Sequence, residues 1–106
     1  RNTEQYDVLL YVANWPEPRR NAWKSLLTAR AIENQVYTVG LNRIGSDGNG
    51  LNYTGDSLVA DYAGEPMLHV AQQEGAFTVQ LNYDAQQNFR KKLAFLPDQD
   101  KFQILD

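Results

Sequence analysis

Two arginines and a short loop are the residues best suited to chemistry in this sequence. Arg19 ends the loop Asn14-Trp15-Pro16-Glu17-Pro18-Arg19, and Arg43 follows a β-branched run. A guanidinium binds a carboxylate through two parallel hydrogen bonds, so either arginine is a candidate to hold an acidic substrate. A solvated surface arginine is the alternative for both. The sequence contains no cysteine, so it provides no thiol nucleophile, no disulfide and no thiolate metal site.

Two further motifs favour structural interpretations. Asp47-Gly48-Asn49-Gly50 has the alternating oxygen ligands that begin a calcium loop, but it lacks the third acidic position and the distal glutamate. Its glycines predict a plain turn. His69 is the single histidine and has no carboxylate or thiol close to it in sequence, which predicts a packed or half-exposed strand residue. We therefore expect no metal site.

A strand, a helix and a second strand position the loop. The apolar runs 7–13 and 36–41 predict buried strands. A helix that begins between Arg19 and Ala22 and is closed by Asn34 and Gln35 is expected to separate them. Its apolar face, at helical spacing, comprises Trp23, Leu26, Leu27, the stem of Arg30 and Ala31. Such a βαβ unit has parallel strands, so the loop lies at a strand's carboxyl end, where open α/β sheets bind ligands.

The middle of the chain predicts an antiparallel meander. Residues 43–52 contain three glycines with Asp-Gly and Asn-Gly pairs, which predict a surface loop. Three strands are expected after it, at 57–61, 67–71 and 76–81. Asp56 is placed just before the first of them.

A second helix and an extended tail complete the prediction. The helix covers about 84–93, with Asp84 as its N-cap and Phe89 and Leu93 at an i, i+4 spacing. Pro97 ends it, and 102–105 form the tail. Two helices cover at most one face of the sheet, whereas a parallel unit needs both faces covered. The fold class is therefore α/β with a mixed sheet, in a chain that forms half of a domain.

Composition limits the classes of partner. The 106 residues fit one small domain, and 42% of them are hydrophobic. A net charge of −3 with interspersed signs argues against nucleic acid or an anionic membrane as partner. No apolar run approaches the ~20 residues of a transmembrane helix, and the polar start at 1–5 is unlike a signal peptide. A cytoplasmic location is the resulting expectation. The absence of a starting methionine before the first strand predicts that the chain is part of a longer polypeptide.

Several motifs in order resemble the second half of the carbon–nitrogen hydrolase (nitrilase) superfamily. They are Ala13-Asn14-Trp15-Pro16, Arg20, Trp23, Leu26, Ala29-Arg30-Ala31-Ile32-Glu33-Asn34, Asn42-Arg43-Ile44-Gly45, Gly55-Asp56-Ser57, Asp61, Gly64 and Glu65. The combination is most similar to the ω-amidase branch, and the resemblance covers essentially the whole chain, including its tail. It implies the second half of an α-β-β-α sandwich that dimerises through helices. The missing half would cover the open face of the sheet.

The resemblance also implies a reaction. Enzymes of this superfamily hydrolyse amides with a cysteine nucleophile, a glutamate general base and a lysine that stabilises the oxyanion. All three are expected upstream of Arg1, so no catalytic residue is predicted within this chain. No cofactor is implied.

The same resemblance suggests roles for four residues. Trp15 is expected to line the substrate pocket and Asn14 to place backbone groups near the cysteine. Arg43 is expected to bind substrate on the strength of its guanidinium chemistry alone. The alternative for Trp15 is that it only packs the loop against the helix. Arg30 and Glu33 are either an i, i+3 surface pair, contributing roughly 0.2–0.5 kcal/mol, or a structural pair behind the site and near the dimer contact.

Two functions from different classes follow. The first is part of an ω-amidase-like hydrolase acting on short dicarboxylic monoamides, inactive as the 106-residue chain. Its expected partners are its own N-terminal half, a small amide substrate and a second copy in a homodimer. The second is a non-catalytic binding or dimerisation module that keeps the fold without the chemistry.

Overall fold

A computed structural model describes residues 5–105, and the N-terminal residues 1–4 and Asp106 lie outside the described part. The fold is mixed α/β, as predicted. Its strands are β1 (Val8–Ala13), β2 (Tyr37–Asn42), β3 (Ile44–Ser46), β4 (Asn52–Ala60) and β5 (Pro66–Ala71). Its helices are α1 (Arg20–Asn34) and α2 (Tyr83–Lys92), with short 3-10 turns at Glu17–Arg19 and Leu96–Asp98.

The predicted βαβ unit is present. β1 and β2 pair in parallel from Val8 opposite Tyr37 to Ala13 opposite Asn42, and α1 connects them. Gln35 closes α1 in the left-handed region at φ 51°, and its backbone N–H donates to the last turn. A left-handed residue at this position satisfies carbonyls that the end of a helix leaves without partners. The helix therefore ends where the sequence predicts.

α1 packs on the sheet through a narrow apolar stripe. Trp23, Leu27 and Ala31 are buried, and Trp23 and Leu27 pack with Leu58 of β4. The helix approaches the sheet closely at Gly40, where an added Cβ would lie 2.5 Å from Leu27 Cδ1. The prediction that Leu26 shares the buried face is wrong, since Leu26 is 43% exposed.

β4 is the central strand of the sheet and is longer than predicted. It pairs antiparallel with β3 through its first half, and with both β2 and β5 through its second half. The predicted loop 43–52 therefore contains β3 and the start of β4, which form a hairpin. Asp56 lies inside β4 rather than before it. Turn residues indicated the bend of the hairpin, but the pairing of its arms depends on non-local contacts.

The predicted fifth strand at 76–81 is wrong. These residues have no strand pairing, and the antiparallel partners of β4 are β2, β3 and β5. The apolar side chains of this segment, Phe77, Val79 and Leu81, instead line a groove with Val39 and Val59 of the sheet. An alternating pattern shows only that one side of a segment faces an apolar surface. This segment faces such a surface without forming the hydrogen bonds of a strand.

α2 is present, but its N-cap is Asn82 rather than Asp84. The Asn82 side chain accepts a hydrogen bond from the backbone N–H of Ala85 at 2.9 Å. Arg90 holds the helix to the start of β1 by donating to the Asp7 carboxylate at 2.7 Å. Pro97 lies in the 3-10 turn beyond the helix end, and residues 102–105 are exposed without regular structure.

The sheet face opposite α1 is apolar and largely uncovered. Val12 is 87% exposed, Leu10 67% and Leu41 57%. The prediction that β1 and β2 are buried is therefore wrong for their side chains on this face. The burial of β1 alternates residue by residue, because only its other face meets α1.

Among residues 5–105, no helix is long and apolar enough to cross a membrane.

Candidate functional site

The candidate site lies at the carboxyl ends of β1 and β2, where residues 14–19, here called the Trp15 loop, leave the sheet. Asn42, the last residue of β2, fixes this loop through its side chain. Its Oδ1 accepts from the Trp15 backbone N–H at 2.8 Å, and its Nδ2 donates to the Trp15 carbonyl at 2.9 Å. Nδ2 also donates to the Gly55 carbonyl of β4 at 2.8 Å. One amide thus joins the loop to two strands, a role that sequence reasoning missed.

The ring of Trp15 packs against α1. Its centroid lies 5.7 Å from that of Trp23, at an interplanar angle of 50°, and the guanidinium of Arg19 lies 5.5 Å from its centroid. The ring borders a recess of about 230 Å³ between β1 and α1. The packing contact is therefore present, while a substrate-binding role for Trp15 stays a prediction. Asn14 is exposed and lies in the chain between the end of β1 and Trp15, and its role also stays a prediction.

Asp56 is a buried carboxylate beside the loop. Its side chain is fully buried and receives hydrogen bonds from three elements. Oδ2 accepts from Thr54 Oγ1 at 2.6 Å, and Oδ1 accepts from Arg20 Nη2 at 3.0 Å. Oδ1 also lies 2.6 Å from His69 Nε2. The Asp56 carbonyl accepts from the indole N–H of Trp23 at 2.8 Å.

The electrostatics of Asp56 favour its ionised form. Burial alone would raise the pKa of this carboxyl, because it disfavours the charge. Hydrogen bonds from Thr54, His69 and Arg20, with the positive charge of Arg20, outweigh burial and hold the pKa below its usual range. The group is therefore a carboxylate at neutral pH.

His69 is the half-exposed strand residue that the sequence predicts, with a side chain 37% exposed in β5. Its carboxylate partner was missed. Asp56 lies 13 residues earlier, and β4–β5 pairing brings the two together. Only a correct register across these strands would have indicated this pair.

Arg43 is exposed where β2 passes into β3. Its guanidinium stacks on Tyr53 at 4.4 Å from the ring centroid and donates to the Ser46 carbonyl at 3.3 Å. Arg43 also borders the groove of about 600 Å³ on the face opposite α1. The structure therefore orients Arg43 on its own hairpin, and its binding of a substrate stays a prediction.

Arg30 and Glu33 form an ion pair on α1 at 2.9 Å, with side chains 43% and 36% exposed. This is the i, i+3 surface pair of the simpler interpretation, for which a contribution of roughly 0.2–0.5 kcal/mol is typical. Arg30 also borders the recess beside Trp15. Whether the pair acts near a dimer contact stays a prediction.

These residues can shape a pocket and orient polar groups, but they supply no nucleophile. Within residues 5–105, no three His, Cys, Asp or Glu side chains come together as a metal site. The Asn42 amide binds backbone groups, and the Thr54 hydroxyl and the Arg20 guanidinium bind the Asp56 carboxylate. The described residues of the site can therefore line a pocket and orient polar groups within it.

Comparisons with known proteins identify the relatives of the chain. The carbon-nitrogen hydrolase family model matches residues 2–91. Over 105 residues the chain is 48% identical to omega-amidase YafV of Escherichia coli strain K12, covering 98% of this chain and 41% of that protein. Over 96 residues it is 33% identical to a 2-oxoglutaramate amidase of Bacillus subtilis, covering 91% and 37%.

A solved structure has the same fold. It is a CN-hydrolase superfamily protein of Xanthomonas campestris with an arsenic adduct in its active site. The TM-score is 0.92 at 42% identity, over 94% of this chain and 38% of that one. The chain thus spans about two fifths of the length of the relatives it matches.

Proposed function

The chain belongs to the carbon–nitrogen hydrolase family, and from this premise we propose that it is the C-terminal half of an ω-amidase-like enzyme. The intact protein would hydrolyse amides of short dicarboxylic acids to the acid and ammonia. The observation that carries this proposal is the 48% identity, over 98% of the chain, to a protein named omega-amidase. A relative named 2-oxoglutaramate amidase supports the same substrate class.

The proposed reaction uses a cysteine, a glutamate and a lysine upstream of this chain. The cysteine thiolate attacks the amide carbonyl carbon, and the lysine offsets the charge that forms on the carbonyl oxygen. The glutamate takes the thiol proton and gives it to the departing nitrogen, so ammonia leaves and a thioester remains. Water, deprotonated by the glutamate, cleaves the thioester and regenerates the thiol. The absence of cysteine here is consistent with an upstream nucleophile.

The described residues would contribute the wall of the pocket. We propose that Trp15 contacts the substrate, that Asn14 places backbone groups near the cysteine, and that Arg43 binds the substrate carboxylate. The position of the loop at the carboxyl ends of parallel strands supports the first two roles. The exposed guanidinium of Arg43, one residue beyond Asn42, supports the third.

The uncovered face of the sheet would receive the N-terminal half of the same protein. Val12, Leu10 and Leu41 expose apolar side chains there, and the matched relatives are more than twice as long as this chain. We further propose a cytoplasmic homodimer, in which the exposed Arg30–Glu33 pair of α1 lies near the contact between copies.

Ammonia release from a short dicarboxylic ω-monoamide tests the proposal. The chain extended upstream to its gene's own start is compared with the 106-residue chain and with the extended chain carrying alanine for the upstream cysteine. We expect turnover by the unsubstituted extended chain alone. Turnover by the 106-residue chain would contradict the upstream location of the catalytic groups. No turnover by any of the three would favour a non-catalytic module.

A further inference from the structure

Two consecutive residues inside β4 have backbone conformations that are rare in a strand. Gly55 and Asp56 have φ values of 79° and 53°, and the pairing of β4 with β5 shifts register between Gly55 and Ser57. A positive φ is costly for residues other than glycine, and aspartate and asparagine are among those that adopt it most often. Such a bulge disrupts the ladder locally and bends the strand. At this bulge the carbonyls of Gly55 and Asp56 both accept hydrogen bonds from side chains.

Each of these carbonyls leads to Trp15 by a separate route. The Gly55 carbonyl accepts from Asn42 Nδ2, and the Asn42 side chain binds both backbone polar groups of Trp15. The Asp56 carbonyl accepts from Trp23 Nε1, and the Trp23 ring packs against the Trp15 ring. The bulge is therefore connected to both the backbone and the ring of Trp15.

The Asp56 carboxylate holds the bulge in place. Its three side-chain partners are Thr54 on β4, His69 on β5 and Arg20, the first residue of α1. Arg20 directly follows the Trp15 loop, so this ion pair is a third connection to the loop. A fully buried charge with these partners fixes its surroundings more firmly than a neutral group does.

We infer that Asp56 is a positioning residue for the Trp15 loop, and that its negative charge is required for this role. It does not contact substrate in this scheme, because its side chain is fully buried. As far as it concerns turnover, the inference rests on the function proposed above. As far as it concerns the place of the Trp15 ring, it stands independently of that function.

The test uses the full-length protein labelled with 5-fluorotryptophan and observed by fluorine NMR. Replacement of Trp15 and of Trp23 by phenylalanine, one at a time, assigns their resonances. Asp56→Asn keeps the size of the side chain and the tolerance for positive φ but removes the charge. Asp61→Asn is the matched control, because the Asp61 carboxylate likewise accepts hydrogen bonds, but from backbone N–H groups of its own turn rather than from side chains that lead to the loop.

We expect Asp56→Asn to shift or broaden the Trp15 and Trp23 resonances at temperatures well below unfolding, and Asp61→Asn to leave them unchanged. The KM for the amide should rise about tenfold in Asp56→Asn, with a smaller fall in kcat, because a displaced Trp15 loop would position the substrate less well. A lower melting temperature with both resonances unmoved would overturn the inference, because Asp56 would then only stabilise the fold. This NMR result does not depend on turnover, so it separates failure of the inference from failure of the proposed function.

A second variant decides the matter if Asp56→Asn does not fold. His69→Ala removes one partner of the carboxylate at a side chain that is 37% exposed, where folding tolerates the change. We expect it to shift the same two resonances by a smaller amount. Unchanged resonances in His69→Ala, together with an unfolded Asp56→Asn, would overturn the inference.

Discussion

At the scale of single residues, Asn42 joins the Trp15 loop to the sheet, a role that its sequence motif did not predict. Its amide makes three hydrogen bonds to backbone groups of Trp15 and Gly55. We expect Asn42→Ala to lower the free energy of unfolding by about 1–3 kcal/mol, because backbone groups that Asn42 satisfies lose their partner. Urea denaturation of the full-length protein measures this change.

The control for Asn42 is Asn88→Ala, at an exposed position of α2, which should change the unfolding free energy by less than about 0.5 kcal/mol. Asn42→Asp adds a sharper comparison. It keeps the acceptor for the Trp15 N–H but directs a carboxylate oxygen at the carbonyls of Trp15 and Gly55. Asn42→Asp should therefore lower the free energy of unfolding at least as much as Asn42→Ala does. Equal denaturation midpoints for the wild type and both Asn42 variants would show that the loop holds its place without this amide.

At the scale of elements, the close approach of α1 to β2 sets the place of Trp23 and, through it, of Trp15. Gly40 permits this approach, because an added Cβ would lie 2.5 Å from Leu27 Cδ1 and 2.8 Å from Trp23 Cζ2. We expect Gly40→Ala to destabilise the protein by about 1–3 kcal/mol through overpacking. Gly48→Ala, with no atom within 4 Å of the added Cβ, is the control. Thermal unfolding followed by circular dichroism measures both, and equal melting temperatures would contradict the packing argument.

The elements also show which parts of the molecule a sequence can predict. β1, α1 and β2 were predicted within one or two residues, because apolar periodicity and helix ends are local properties. The sequence predicts a loop where β3 lies and a strand at 76–81 where there is none. Both errors arise because a strand also needs a pairing partner, which its own residues do not reveal. The same holds for the site. The loop 14–19 was found from its place after a strand, whereas Asn42 and the Asp56–His69 pair depend on contacts across 27 and 13 residues.

At the scale of the whole molecule, the uncovered apolar face makes the stability of this chain depend on what covers it. Val12 is 87% exposed on that face here, and under the proposed arrangement the N-terminal half would bury it. Val12→Lys should therefore have opposite effects in chains of two lengths. In the extended protein it would bury an unpaired charge, which typically costs several kcal/mol and should lower the melting temperature sharply. In the 106-residue chain it would remain in water and reduce self-association, because it interrupts an exposed apolar patch. Thermal unfolding of the first chain and light scattering of the second measure these effects, and the unsubstituted chain of each length is the control. If the extended protein tolerates lysine without loss of stability, this face remains open to solvent in the intact molecule, and the N-terminal half packs elsewhere.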